Sequence, residues 1–408
     1  MRSESMRRFA HMLQSSYLAR GHSVEVWSPK ARVFNWVPRG RWSKWAGYID
    51  QYILFPLSIR RALKRVPSET LFVFCDQAMG PWVPLVKDRP HVIHAHDLLA
   101  LRSALGEIPE NPTALSGRIY QRYIRRGYRQ ARHFISISGK THDDLHRYGL
   151  VSPVTSEVVY NGLNFPYQKM PGDQAQRTLR DAGLPVSPEG MLLHVGGGQW
   201  YKNQVGLILL YASYASQMAN PLPLWCISPA PDAKTSQTLR RVPAQGKVFF
   251  FQGLDNQTLQ AAYSQAHALL CPSLAEGFGW PLIEAQACGC PVITTDEPPM
   301  NEVAGGDACF LPRLRLGDDV LAWASAGAAV LQRLLARTAI ESAPSIERSR
   351  NWVRHFSAEA AIDAYLAIYR RVLGLSVSSG ADSRLDITMQ QRNCCMCCRA
   401  WTRRAAAR

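Results

Sequence analysis

The sequence predicts an α/β protein of two doubly wound parallel-sheet domains facing each other across a cleft. Three observations carry this. Buried-strand compositions such as Leu71–Cys75, His91–Ala95 and Met191–Val195 alternate with helical-period segments along most of the chain. That alternation is what parallel sheets covered on both faces require. A polar stretch with two prolines, 166–176, interrupts the alternation, which then restarts. The 408 residues are also enough for two cores of ordinary size. The expected units are residues 1–168, residues 169–355, a helix over 356–373, and a disordered, basic, Cys-containing tail over 374–408.

Taken in order, Met6 to Ala19 has apolar residues at helical spacing, Gly21 ends it, and Val24–Trp27 reads as a strand. Doubly wound domains normally open on a strand, so the first strand is expected to be missing. Residues 39–65 mix aromatics with Arg and Lys, as a core-packed helix pair or a membrane-surface helix would. Next come a strand at Leu71–Cys75, a helix starting at Val83 to Val86, a strand at His91–Ala95, a basic helix from Tyr120 to Ala131 and a strand from His133. Ser138 is placed to cap a helix over Lys140 to Tyr148, and Val158–Tyr160 closes the first set. The second set has strands at 191–195, 224–227, 248–251, 268–271, 292–295 and 309–311. Its helices cover 203–218, 256–266, 282–288, 321–335 and 346–355, and a last helix covers 358–372.

With 47% hydrophobic and 19% charged residues the chain is globular. No apolar run reaches the length of a membrane span, and the N-terminal residues lack a signal-peptide pattern. A cytoplasmic location, at the inner face of the membrane, is therefore expected. The net charge of +16 calls for an acidic partner: nucleic acid, anionic lipid or a phosphorylated small molecule. No zinc-finger, RNP or helix-turn-helix pattern supports nucleic acid. Six of the ten cysteines are scattered without metal-ligand spacing and read as reduced core thiols. The other four cluster at 394–398 in the low-complexity tail.

The stretch Cys271 to Glu302 carries the chemistry. Gly277 and Gly279 flank Phe278 in a loop that lets backbone N–H groups approach a ligand. Trp280-Pro281 opens a short helix, and a glycine loop feeding a helix N-terminus is a ready anion site. Glu276 precedes the loop and Glu284 lies inside the helix, with seven residues between them.

This pattern resembles the retaining glycosyltransferases of family GT4, the group 1 glycosyltransferases of GT-B fold. The resemblance rests on EGFGWPLIEAQACGCPV from Glu276, with CPS before it and Asn301-Glu302-Val303 after it. It is joined in family order by Val195–Gly198 with Lys202-Asn203, by HAHD at 94–97, by Ser136–Ser138 and by Val159–Gly162. It implies a GT-B fold of two Rossmann-like domains, the first on the acceptor side and the second binding a nucleotide-sugar. It implies catalytic roles for Glu276, His96 and Lys202. Donor binding would fall to Gly197, Gly198, Lys202, Asn203, Gly277, Phe278, Gly279, Trp280, Pro281 and Glu284. Lys202 would offset the charge growing on a departing diphosphate. Glu284 would accept the ribose hydroxyls, and Glu276 would face the donor sugar. His94, on the same strand as His96, is expected to pack.

The family pattern often has an arginine shortly before the lysine, where this chain has Gln199-Trp200-Tyr201. No DxD-type acidic pair stands at a strand end, and Asp143-Asp144 reads as helix surface, so no metal and no other cofactor is expected. The resemblance implies transfer of a sugar from a nucleotide-diphospho-sugar to a glycan or lipid-linked acceptor, as in polysaccharide biosynthesis. From the basic and aromatic residues at 39–65 comes the expectation of peripheral association with an anionic membrane, and no nucleic-acid partner is expected. Two alternatives share the fold: a non-catalytic sugar-nucleotide-binding protein and a sugar-nucleotide epimerase.

Overall fold

The computed structural model describes residues 4–37, 40, 42–186, 189–375 and 384–391. In the first half, α1 (Glu4–Ala19), β1 (Ser23–Trp27), α2 (Val33–Trp36) and α3 (Ser43–Ile49) lead through a π-helical turn, Asp50–Leu54, into α4 (Phe55–Ala62). Next come β2 (Leu71–Phe74), a 3₁₀ segment (Gln77–Leu85), β3 (His91–Ala95), α5 (Leu99–Leu105) and α6 (Leu115–Tyr128). Then follow β4 (His133–Ser136), α7 (Gly139–Gly149) and β5 (Thr155–Val158).

The second half holds α8 (Gly172–Asp181), β6 (Met191–Val195), a 3₁₀ turn (Trp200–Lys202), α9 (Gln204–Ser216), β7 (Leu224–Ile227), α10 (Ala233–Leu239) and β8 (Val248–Phe251). After these come α11 (Asn256–Gln265), β9 (Ala266–Cys271), α12 (Trp280–Ala287), β10 (Val292–Thr295), α13 (Met300–Ala304) and β11 (Cys309–Leu311). The chain closes with α14 (Val320–Leu335), α15 (Ala339–Val353), α16 (Ala358–Val372) and β12 (Asp386–Gln390).

The strands form two six-stranded parallel sheets, ordered β1-β12-β2-β3-β4-β5 and β11-β10-β9-β6-β7-β8. Burial on both faces explains the composition: all of Leu71–Phe74 is buried, as is all of His91–Ala95. In α1, Phe9, Leu13 and Tyr17 recur every four residues, and all three are buried on the first sheet. Helix starts are set by side chains that accept orphan N–H groups: Asp76, Ser138, Asp232, Asp255, Asp319, Thr338 and Ser357. Helix α16 returns to the first domain, where Ile362, Tyr365 and Tyr369 join its core.

The main departure from expectation is β12. The tail was expected to be disordered, yet within 384–391 β12 lies inside the first sheet, second from its edge, parallel to β1 on one side and β2 on the other. The neighbour that a strand before α1 would give to β1 is supplied from the far end of the sequence. Without β12, β1 and β2 would each present an edge of unpaired N–H and C=O groups. The Cys cluster at 394–398 lies outside the described residues. Two smaller departures follow local chemistry. Pro81 and Pro84 leave Gln77–Leu85 a 3₁₀ segment, where a helix starting at Val83 to Val86 was expected. The polar stretch 166–176, which separates the two sets of elements, already contains the start of α8 at Gly172. The six scattered cysteines are free thiols, five of them buried.

Candidate active site

The predicted residues gather at the carboxyl ends of the two sheets. From β6 the chain runs through Gly196–Gly198 into the 3₁₀ turn that ends on Lys202. Asn203 adopts φ 52°, caps α9 by accepting the Gly206 N–H at 3.1 Å, and donates to the Pro272 carbonyl at 3.0 Å. The Lys202 side chain is buried and its Nζ donates to Glu276 Oε1 at 2.6 Å. Ser273 Oγ donates to the same oxygen at 2.8 Å. Burial alone would pull the Lys202 pKa down, but the adjacent Glu276 carboxylate more than reverses this, so the ammonium keeps its charge. A Cβ on Gly196 would lie 3.1 Å from Lys202 Cδ, so glycine leaves that side chain its path. Gly197 sits under the Gln199 side chain, which a Cβ there would meet at 2.3 Å, and Gly198 is exposed.

Glu284 is buried in α12 and accepts a hydrogen bond from the Tyr263 hydroxyl at 2.8 Å. Burial pushes its pKa up to about 7, while the Tyr263 hydrogen bond and the charges of Arg8 and Lys202 pull the other way. Gly279, at φ 102°, starts α12 with Pro281 in the first turn. The Phe278 ring is buried between Trp280 and Phe356, and the Trp280 indole N–H donates to the Gly162 carbonyl at 3.1 Å. Both aromatic side chains therefore fasten the loop, leaving its backbone as the part suited to an anion.

In the first domain, β3 delivers His96 to the cleft. Its Nε2 lies 2.9 Å from the Cys75 carbonyl, and its backbone N–H donates to Gln77 Oε1 at 3.0 Å. A carbonyl only accepts, so Nε2 carries the proton. Burial lowers the His96 pKa, which keeps the ring neutral. Asp97, beside it, is pushed up to about 6 by burial and then by the Asp76 charge. His94 packs, as expected: its Nε2 lies 2.7 Å from the Tyr369 hydroxyl and its ring meets Phe9 and Tyr365.

The two halves touch at this point. A Cβ on Gly277 would lie 2.2 Å from the His96 carbonyl oxygen, so the glycine is what lets the loop reach the first domain. Ser138 Oγ donates to the Gly277 carbonyl at 2.9 Å. Glu302 on α13 accepts the Gly139 and Lys140 N–H groups at the start of α7, at 2.5 and 3.3 Å. Arg313 pairs with Glu110 at 2.8 Å. The structure thus brings Glu276, Gly277, Lys202 and His96 into one cluster, with Asn203 behind Lys202.

Sequence reasoning assigned no role to Asp97, Tyr263, Ser273, Glu302 or Arg313. Glu302 stood in a quoted motif, but its partner is a helix N-terminus 163 residues away in sequence. Asp144, read as surface, is instead buried and bonded to Lys140 and Arg102. Among the described residues, no three His, Cys, Asp or Glu side chains converge to hold a metal ion. Two cavities, of about 640 and 660 Å³, lie away from the cluster.

Comparison with known proteins agrees with this geometry. The family model described as Glycosyltransferase Family 4 matches residues 6–165, and the one described as Glycosyl transferases group 1 matches residues 176–308. The chain belongs to the family 4, group 1 glycosyltransferases. An O-antigen chain mannosyltransferase of Salmonella typhimurium is 26% identical over 53% of this chain and 56% of its own length. A D-inositol 3-phosphate glycosyltransferase of Jonesia denitrificans is 30% identical over 41% of each chain. The matches thus span about half or less of these relatives' length. Among solved structures, WaaG, a glycosyltransferase involved in lipopolysaccharide biosynthesis, superposes with a TM-score of 0.65 at 15% identity, covering 92% of this chain and 96% of that one. Sucrose-phosphate synthase from Thermosynechococcus elongatus gives 0.59 at 19% identity over 83% and 81%. These likenesses show the GT-B fold of the group 1 enzymes.

Proposed function

We propose that this group 1 glycosyltransferase moves a sugar, with retention and without a metal, from a nucleotide-diphospho-sugar to a glycan or lipid-linked acceptor. The observation that carries the reading is the buried Lys202–Glu276 pair, held at the strand ends of the second domain where the Gly277 loop meets the His96 backbone of the first. A departing diphosphate gains negative charge, and Lys202, kept cationic in a dry site, is built to offset it. The α12 N-terminus and its glycine loop would add backbone N–H groups. Glu276 would accept hydroxyls of the donor sugar, and Glu284 those of the ribose. The neutral His96 holds its Nε2 proton on Cys75, so Nδ1 is the nitrogen available to an incoming sugar. The bond from the anomeric carbon to the diphosphate would break as the acceptor hydroxyl oxygen attacks from the same face, its proton passing to the departing diphosphate oxygen, and no covalent enzyme intermediate would form.

The acceptor would be held by the first domain at the inner face of the membrane. Among the described residues no helix is long and apolar enough to cross a membrane. The names of the relatives favour mannose as the first sugar to try in a screen of GDP-, UDP- and ADP-sugars. The test is sugar transfer and donor hydrolysis by Glu276→Gln and Lys202→Ala proteins. Lys202→Ala leaves Glu276 buried and unpaired, at a cost of about 3–5 kcal/mol in stability, so Glu276→Gln is the cleaner probe. Loss of both activities in both variants is expected, and wild-type rates in Glu276→Gln would overturn the assignment.

A further inference from the structure

The positive charge of this chain is concentrated. Residues 30–65 hold nine basic residues and one acid, and residues 111–132 hold six basic residues and none, so these two stretches supply +14 of the net +16. The one acid, Asp50, is buried and accepts the backbone N–H groups of Arg32, Val33 and Phe34 at 2.9 to 3.1 Å. The first stretch contains α3–α4 and the second contains α6, and these helices meet along a tyrosine seam. Tyr48 stacks on Tyr120 at 6.1 Å, Tyr52 meets Tyr120 and Tyr123, and the Tyr52 and Tyr120 hydroxyls lie 2.6 Å apart.

Each helix also carries an exposed apolar row at every fourth residue. On α3–α4 the row is Trp45, Ile49, Ile53 and Leu57; on α6 it is Leu115, Ile119 and Tyr123. Trp45 is 60% exposed, Ile53 55%, Leu115 73% and Ile119 61%, where a protein surface normally places polar side chains. A step of four overshoots an α-turn of 3.6 residues. The wider π-helical turn at Asp50–Leu54 offsets that drift and keeps the first row in line. The seam contacts advance in the same direction on both helices. Positions just after the seam on one helix and just before it on the other therefore turn to the same side. Ile49 and Ile53 hold the first position, Ile119 the second, so the two rows share one face.

Arg118, Arg122 and Arg126 run beside the α6 row at the same spacing, all exposed. Exposed Arg60, Arg61, Lys64 and Arg65 border α4. Lys30, Arg32, Arg61 and Arg65 also line a cavity of about 660 Å³ at the end of β1. None of these four side chains has a hydrogen bond or ion pair among the described residues.

We propose that the face formed by α3–α4 and α6 is a docking surface for an anionic lipid bilayer. Its apolar rows enter the headgroup boundary while the arginine and lysine border meets the lipid phosphates. The inference names the membrane contact of the acceptor side and rests on the reading of a membrane-borne acceptor given above. A second protein copy would match the apolar rows, but two such faces would bring like charges together.

The test is co-sedimentation of the full chain with vesicles of phosphatidylcholine alone, or of phosphatidylcholine with phosphatidylglycerol, together with size-exclusion chromatography. Donor hydrolysis in solution is measured in parallel. Wild-type protein is expected on the anionic vesicles and off the neutral ones. Arg118→Ser with Arg122→Ser should weaken binding by about fivefold for each charge removed. Ile49→Ser with Ile53→Ser and Ile119→Ser should release the protein, with donor hydrolysis unchanged in every variant. Equal binding to both vesicle types, binding that survives the serine variants, or a wild-type dimer that these variants dissolve would each overturn the proposal. If wild-type protein binds vesicles in this pattern but turns over no donor, the transfer reading falls and the docking surface stands.

Discussion

Replacing Glu284 by glutamine should make the unliganded protein more stable while weakening its hold on the donor. The side chain is buried, and its pKa stands at about 7 against an ordinary value of 4.5. Because the folded state holds this proton more tightly than the unfolded chain does, stability falls as pH rises from 4.5 towards 7. The gap is about 2.5 pH units, and at 1.36 kcal/mol per unit it corresponds to about 3 kcal/mol of destabilisation above pH 7. Glu284→Gln removes that charge and keeps an oxygen for the Tyr263 hydroxyl. Urea unfolding should find the variant more stable by up to about 3 kcal/mol near pH 8, with the difference shrinking towards pH 4.5 and closing below it, where Glu284 becomes protonated in both states. Donor affinity, measured by calorimetry near pH 8, should drop by about 1.5–3 kcal/mol as the charge-assisted bonds to the ribose are lost. Wild-type affinity should also fall below about pH 7, because a protonated Glu284 accepts fewer hydrogen bonds. Equal stability of variant and wild type near pH 8, or a gap that persists below pH 4.5, would refute the reasoning.

Gly277→Ala places a methyl group 2.2 Å from the His96 carbonyl oxygen, so the loop must retreat from the first domain. Transfer should fall by about 10²-fold, as misplacement near 1 Å can cost, while thermal unfolding stays close to wild type. Met389→Ala empties a fully buried position of β12 and should cost about 2–5 kcal/mol in urea unfolding. A cost within about 0.5 kcal/mol, the range of ordinary surface changes, would show that this strand does not fill the sheet.

Most of the fold was legible because each signal was local. Strands buried on both faces read as short apolar runs, and caps such as Ser138 and Asn203 stand next to the helices they start. The donor side was equally legible: Glu276, Gly277 to Gly279 and Glu284 lie within nine residues. Where the reading failed, the deciding partner was distant in sequence. Asp144 reads as one of two surface acids until Arg102, 42 residues away, is seen against it. Leu385, Ile387 and Met389 do show the two-residue period of a strand, but a single short alternation in polar surroundings commits to nothing until two sheet edges receive it.

The sequence alone determined the two-domain α/β architecture, the family and the chemical types gathered at the donor site, since these follow from periodicity and motif spacing along one stretch at a time. Only the tertiary structure decided that Lys202 is paired with Glu276 across 74 residues, that Glu302 ties the second domain to the start of α7, and that the chain's last described strand completes its first sheet. These are choices of partner, and a buried charge, an unpaired helix terminus or an open sheet edge is satisfied by whatever the folded chain brings to it.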